Sequence, residues 1–281
     1  MRLGVHVSIA GHIYESIDRA AALGCNTMQI FSRNPRGWEG AVFTKEDAAE
    51  FRKRKKAYDI TPVLVHIPYL INLASPDNVL YKKSISAYID DIKNADELGA
   101  EYFVTHLGSH KGSGRPAGIR RFSEAMDVII AKAKPRLTIL LEDTGGAGDS
   151  IGSRFEDMGA IMDGIKDKSK VAVCLDTCHL FVAGYDIKSK SGLDDMAAEM
   201  DKYIGLKRLK AIHLNDSMGA VSSHLDRHEH IGKGQIGSAA LRRIVNHSAF
   251  KDIPMVMETP KKEPGDDIMN IAIVRKMRGG K

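Results

Sequence analysis

No apolar run in this 281-residue chain approaches the roughly 20 residues that a helical bilayer span requires, which excludes a helical membrane protein. A secretory leader is also missing: Met1 to Ser8 runs straight into an apolar strand pattern, without a basic segment, a long apolar stretch or a small-residue cleavage site. The expected location is the cytoplasm. Cysteine is scarce, and Cys25, Cys174 and Cys178 are odd in number, wrongly spaced for a zinc ribbon and too few to staple a chain of this length. They read as reduced, small apolar residues buried for their packing. Low-complexity tracts and long linkers are absent, which leaves no natural place to divide the chain. Charge of one sign is not dominant either: 41 Lys and Arg against 36 Asp and Glu give +5, which favours an anionic partner without requiring one.

What is present is ordinary globular composition, 43% hydrophobic and 27% charged, arranged in a regular alternation. Short apolar, β-branched runs recur at Leu3–Ser8, Asn26–Ser32, Pro62–Pro68, Tyr102–Leu107, Arg136–Asp143, Val171–Asp176, Leu209–Asn215 and Ile253–Thr259. Helical spacing fills the intervals, at Tyr14–Leu23, Thr44–Tyr58, Asp77–Leu98, Gly118–Ala133, Phe155–Lys166, Leu193–Ile204, Ala239–Val245 and Asp266–Arg278. Thr44 three residues before Asp47 resembles a capping box, Ser75-Pro76 offers an N-cap with proline at the first helical position, and Gly24 and Gly99 stand where left-handed caps are needed. Lys188–Gly192 and Ser217–His224 read as extended loops. Leu137–Leu141 and Val171–Leu175 are continuously apolar, as strands covered on both faces should be. These features predict an α/β fold, a TIM (β/α)8 barrel formed by residues 1–281 as a single domain.

In such a barrel the chemistry sits at the C-terminal strand ends. Strand three ends on His66, four on His106, five on Glu142, six on Asp176, seven on His213 and eight on Glu258, with His179 three residues after Asp176 and Asp226 and His228 in the loop after strand seven. One histidine at a strand end commonly has a structural role. Carboxylates at successive barrel positions, however, would repel one another and lose their hydration unless cations compensated them. Imidazole with carboxylate and no required thiolate suits zinc, and also manganese or iron, and nine candidate ligands exceed what one tetrahedral ion uses. Two or three ions are implied. The i, i+2 relation of Asp226 and His228 places both on one side of an extended segment, a clamp that could close a further site with His179.

At these residues the sequence resembles the endonuclease IV family, zinc-dependent abasic-site endonucleases of base-excision DNA repair. The resemblance covers essentially the whole chain. It is carried by His6-Val7-Ser8 with Gly11, Tyr69-Leu70-Ile71-Asn72-Leu73, His106 through His110, Asp176-Thr177-Cys178-His179, Ala183-Gly184-Tyr185-Asp186, His213-Leu214-Asn215-Asp216-Ser217, Asp226-Arg227-His228 and Gly232-Lys233-Gly234. It implies three Zn2+ ions, with Mn2+ or Fe2+ as substitutes. His66, His106 and Glu142 would hold the first, Glu142 would bridge to a second held by Asp176, His213 and Glu258, and His179, Asp226 and His228 would hold the third. Such ions acidify water and polarise a phosphodiester, and Glu142 is the catalytic residue expected to orient the nucleophile. The implied reaction is hydrolysis 5′ to an abasic site in double-stranded DNA, leaving a 3′-hydroxyl, with trimming of blocked 3′ ends. The activity would be associated with the nucleoid in a prokaryote, and no obligate protein partner is evident.

Two departures stand out: Asp143 follows Glu142 where the family often has asparagine, adding a negative charge beside the site, and Leu107 replaces a common proline after His106. DNA contacts are expected from the loops above the cluster: Arg33, Asn34, Arg36 and Trp38 after strand two, Tyr69 and Leu70 after three, His110, Lys111 and Arg115 after four, and Arg227, Lys233, Lys261 and Lys262 after seven and eight. Arg36, Tyr69 and Leu70 resemble the family's wedge into the base stack. An abasic nucleotide has lost its stacking partner and is cheaper to flip out. His12, His224 and His247 are assigned to surface or packing, while His6 and His230 would support the site without ligating. Two rival readings are a divalent-metal sugar isomerase of related barrel fold and a catalytically silent DNA-damage binding protein. The Asp226/His228 clamp and Tyr69-Leu70 argue against the first, and the complete ligand set against the second.

Overall fold

A computed structural model describes residues 1–40 and 43–279. Each predicted apolar run contributes one strand to an eight-stranded parallel sheet: β1 (Leu3–Val5), β2 (Met28–Phe31), β3 (Val63–His66), β4 (Tyr102–Thr105), β5 (Thr138–Glu142), β6 (Val171–Asp176), β7 (Leu209–His213) and β10 (Met255–Met257). A small antiparallel hairpin, β8 (Asp216–Ser217) with β9 (His228–Glu229), lies between the last two. The strand order β1-β10-β7-β6-β5-β4-β3-β2 leaves β1 and β2 at the two ends of the sheet. A parallel bridge of His6 with Gln29 joins them, and the Val7 N–H donates to the Gln29 carbonyl at 2.8 Å, so the sheet curls into a barrel. Gly4 permits that closure. A Cβ there would lie 1.9 Å from the Thr27 carbonyl oxygen, inside any tolerable contact.

Nine helices are described: α1 (Glu15–Ala22), α2 (Lys45–Ala57), α3 (Asn78–Glu97), α4 (Arg115–Ala133), α5 (Phe155–Gly164), α6 (Thr177–Ala183), α7 (Lys190–Tyr203), α8 (Ser238–Asn246) and α9 (Asp266–Gly279). The capping box of Thr44 and Asp47 is present, and Gly24 and Gly99 adopt φ of +72° and +69° after α1 and α3. The predicted Ser75-Pro76 cap is displaced. Asp77 caps α3 instead, its carboxylate accepting from the Val79 and Leu80 N–H groups at 2.7 and 3.2 Å. Residues 190–192, expected as loop, belong to α7 because the Ser189 hydroxyl accepts from the Gly192 N–H and starts the helix there. The short α6 has no counterpart in the sequence reading.

Alternation along the strands sorts the buried residues into two layers. Val65, Phe103, Leu141, Val173 and Ile212 face the helices, where the larger core lies. Leu64, Val104, Leu140, Ala172, Cys174, Ala211 and Val256 form a separate apolar plug inside the barrel. All three cysteines are free and buried. Replacing Gly4 by alanine is expected to destabilise the protein by about 3 kcal/mol or more, since backbone stands where the methyl would go. Gly265→Ala, in open space, is the control, and matching thermal midpoints for the two variants would refute the closure argument.

Candidate metal centre

The inward parity that builds the plug also builds the site. His66, His106, Glu142, Asp176, His213 and Glu258 each follow an inward plug residue by two positions: Leu64, Val104, Leu140, Cys174, Ala211 and Val256. They therefore ring the barrel mouth directly above the plug. Two residues of the same tier were not anticipated as a pair, Gln29 on β2 and His6 after β1.

Glu142 is central and 1% exposed. Its Oε2 lies 3.2 Å from His66 Nε2 and 3.3 Å from His106 Nε2, while Oε1 lies 2.7 Å from His213 Nδ1. The two oxygens thus face different groups of donors. His213 Nδ1 is 3.5 Å from Glu258 Oε2 and 3.9 Å from Asp176 Oδ2. Asp176 has a second task as N-cap of α6, its Oδ1 accepting from the Cys178 and His179 N–H groups at 2.6 and 3.1 Å. Capping explains the three-residue spacing, because it starts the helix at the strand end and turns His179 back over the site. His179 Nε2 lies 3.2 Å from Asp226 Oδ2, and His228 Nε2 lies 3.4 Å from Asp226 Oδ1 and 3.5 Å from Asp176 Oδ2.

Hydrogen bonds behind the ring decide which nitrogen four of the histidines present. The Nδ1 atoms of His66, His179 and His228 point at the backbone carbonyls of Ile67, Asp143 and Glu258 at 2.8, 2.8 and 3.2 Å, leaving Nε2 for the site. His213 is reversed. Its Nε2 donates to Gln29 Oε1 at 2.8 Å, so Nδ1 faces the carboxylates. The Gln29 amide nitrogen donates to Glu258 Oε1 at 2.5 Å and lies 3.0 Å from His6 Nδ1. Asn215 completes the frame, donating to Asp176 Oδ2 at 2.7 Å and accepting from the Glu258 N–H at 2.8 Å. Gln29 was legible only as the one polar side chain inside β2.

Four sets of ligand atoms each fall within 4.8 Å of one another: His66, His106 and Glu142; Glu142, Asp176, His213 and Glu258; His179, Asp226 and His228; and Asp176, Cys178 and His228. The first three use the nine residues singled out in the sequence. The fourth adds Cys178, a buried thiol that burial pushes up to about 12 and that the sequence reading gave as a packing residue. Burial disfavours charge on Glu142 and Glu258, yet the surrounding imidazoles hold both carboxyls well below the usual range. Burial likewise opposes charge on His179 and His213, yet Asp176, Asp226 and Glu142 raise the first well above the ordinary histidine value, and Cys174 with Glu258 and Glu142 raises the second. The cluster calls for positive charge. The buried His228 Nε2 has no hydrogen-bond partner, although two carboxylate oxygens face it, which fits a cation among them.

Asp143 is 2% exposed, and burial, opposed by His179 and reinforced by Asp176 and Glu142, pushes its carboxyl well above the usual range. Its Oδ1 accepts from the Asp176 N–H at 2.6 Å, a bond that an asparagine oxygen would also make.

Of the expected rim contacts, Asn34, Arg36, Tyr69 and Arg227 are exposed, while Leu70 and His110 are half-buried. Tyr69, 61% exposed, stands near Phe31 and His106 with ring centroids 5.7 and 6.3 Å apart. Arg33 is not a free rim cation. It is buried in a two-pronged pair with Asp91 of α3 at 2.8 and 3.0 Å, and it also donates to the Gly37 carbonyl. Its place is under the loop that carries Asn34, Arg36 and Trp38, where Lys83 covers the Trp38 ring at 4.2 Å. Lys261 is tied to the His6 carbonyl and Asp267, and His230 meets Asn270 rather than the ligand cluster.

Comparison with known proteins adds three findings. The sequence profile of the xylose isomerase-like TIM barrel family matches residues 17–274. Proteins described as probable endonuclease 4 from Halothermothrix orenii and Methanoculleus marisnigri are 42% and 44% identical, covering 98% and 99% of this chain and 100% and 99% of their own. The crystal structure of endonuclease IV from Thermus thermophilus superposes with a TM-score of 0.90 at 33% identity over 100% of both chains.

Gln29→Leu removes the acceptor of the buried His213 Nε2–H and a donor to Glu258. Zinc affinity measured by chelator competition is expected to fall about 10- to 100-fold. Unchanged affinity in the folded variant would sink the orienting role of Gln29.

Proposed function

The chain belongs to the endonuclease IV family within the xylose isomerase-like TIM barrels, and on that premise we propose that it is a DNA-repair nuclease that hydrolyses the phosphodiester 5′ to abasic sites in duplex DNA. The reading includes a 3′-hydroxyl product, removal of 3′ blocking groups, and action of the whole chain as one domain. No described helix is long and apolar enough to cross a membrane. The observation that carries the reading is the juxtaposition of three ligand sets sharing Glu142 or lying beside it, with the exposed Tyr69 ring at the same barrel mouth.

In this proposal His66, His106 and Glu142 hold one zinc ion, Glu142, Asp176, His213 and Glu258 a second, and His179, Asp226 and His228 a third. When bound, such ions supply Lewis acidity toward a phosphate oxygen and lower the pKa of water. Glu142 has its two oxygens directed to different donor sets, which suits it to orienting the attacking water between them. Asn34, His110 and Arg227 are assigned to backbone phosphates, where contacts fix register and carry no sequence information. Arg36, Tyr69 and Leu70 are assigned to the stack beside the lesion, filling space left by the flipped nucleotide. Selectivity then comes from the low cost of extruding a sugar that has no base.

A duplex carrying one tetrahydrofuran abasic analogue, which resists β-elimination, is the decisive substrate. Zinc-loaded protein is expected to make one cut with a 3′-hydroxyl, and demetallated protein none. Absence of cutting at full metal occupancy would turn the reading toward sugar isomerisation. Glu142→Gln is expected to lower the cleavage rate by about 100-fold or more, within the usual range for a group that manages a nucleophile's proton. Near-normal turnover by a fully metallated Glu142→Gln variant would refute its assigned role.

A further inference from the structure

The Gly232-Lys233-Gly234 segment, which carries part of the family resemblance, places two glycine amides on the loop after β9. In the fold those amides are already used. The fully buried Asp216 carboxylate accepts from five backbone N–H groups: Ser217 at 2.8 Å and Ile236 at 3.0 Å on Oδ1, Gly232 and Gly234 at 3.0 Å on Oδ2, and Gly237 at 3.3 Å from both. The loop is wrapped so closely that a Cβ on Gly234 would lie 2.4 Å from the Ser217 carbonyl oxygen and 2.6 Å from Asp216 Oδ1. The Gln235 N–H returns to the same Ser217 carbonyl at 2.7 Å.

Asp216 and Ser217 are also the strand β8, paired residue for residue with Glu229 and His228 of β9, and the Met218 N–H donates to the Arg227 carbonyl at 2.9 Å. Asp216 therefore joins the two: its backbone pairs with the strand that carries His228, and its carboxylate holds the loop that leads away from that strand. Between that strand and the loop, the Ile231 N–H donates to Asn270 Oδ1 of α9 at 3.0 Å. Asp226 itself is half exposed and has no strand of its own, so its direction depends on this frame.

We propose that Asp216 is the positioning residue of the Asp226–His228 clamp, setting where these two side chains stand relative to His179 without touching the ion they would hold. The proposal rests on the reading that His179, Asp226 and His228 form an ion site. An amide in place of the carboxylate offers one acceptor oxygen and turns an NH2 group against backbone donors, so the loop loses its anchor while the barrel strands keep theirs.

The test is Asp216→Asn in the full chain, read by zinc competition against a chromophoric chelator and by hydrogen exchange followed by mass spectrometry. The variant is expected to release one zinc equivalent about 10- to 100-fold more easily than the wild type, with the remaining equivalents unchanged. Peptides over residues 226–229 and 232–237 are expected to exchange faster together, and peptides from the barrel strands are not. Wild-type zinc retention with wild-type exchange at 226–229 would overturn the proposal, and a purely structural role would lower the melting temperature without singling out one ion. If the variant does not fold, native-state exchange of the wild type decides: opening of both segments as one unit supports the role, and independent opening overturns it. A wild type that binds only two equivalents would end the three-ion reading, and the exchange result alone would then judge Asp216.

Discussion

Everything at the mouth of this barrel is shaped by the confinement of negative charge over an apolar plug. Glu142, Asp176 and Glu258 meet within one ligand set, Asp226 stands in the adjoining one, and none of the plug residues beneath can hydrogen-bond to them with a side chain other than the Cys174 thiol. Carboxylates so placed lose hydration that only cations, protonated imidazoles or amide donors can replace. The surrounding chain supplies all three kinds of response: histidines drawn toward the charged form, amide donors from Gln29 and Asn215, and a constellation of lone pairs that suits metal ions.

The barrel makes this arrangement rigid because the same alternation serves two layers. Strand residues that point inward form the plug at one level and the ligand ring two residues later, so any shift of register would move both together. Closure between β1 and β2 matters for the same reason. It brings Gln29 and His6 into the ring, and it does so where Gly4 lets the two strands approach. Backbone carbonyls and one amide then fix the ring nitrogens, which places the ligand direction under the control of the fold rather than of side-chain freedom.

The eight strands and the His and carboxylate side chains that gather at six of their ends were legible because burial on both faces leaves an unbroken apolar run, and a charged residue closing such a run has few structural excuses. Interactions between residues far apart in sequence were not legible. Arg33 reads as a loop cation until Asp91 arrives from α3 to pair with it, and Gln29 reads as an interruption of β2 until closure brings it to His213 and Glu258. The helix α6 was missed because its start signal is Asp176, whose ligand role obscured its capping role. Asp77 prevailed over Ser75-Pro76 at the start of α3 for a local reason: its carboxylate satisfies two amide donors at once.

The two residues that the resemblance marks as departures flank candidate ligands, Asp143 after Glu142 and Leu107 after His106. Asp143 makes the hydrogen bond to the Asp176 N–H that an amide oxygen could make, while its own carbonyl accepts from His179. Leu107, after His106, is fully buried in the outer core. It is admitted by Gly152, whose φ is +86° and where a Cβ would lie 2.1 Å from Leu107 Cδ1. A larger side chain at 107 in place of proline is thus matched by the smallest residue opposite it. Each side chain is thus met by its immediate surroundings, the Asp176 N–H at Asp143 and the bare glycine at Leu107, while the nine candidate ligands take their directions from the strands, α6 and the hairpin.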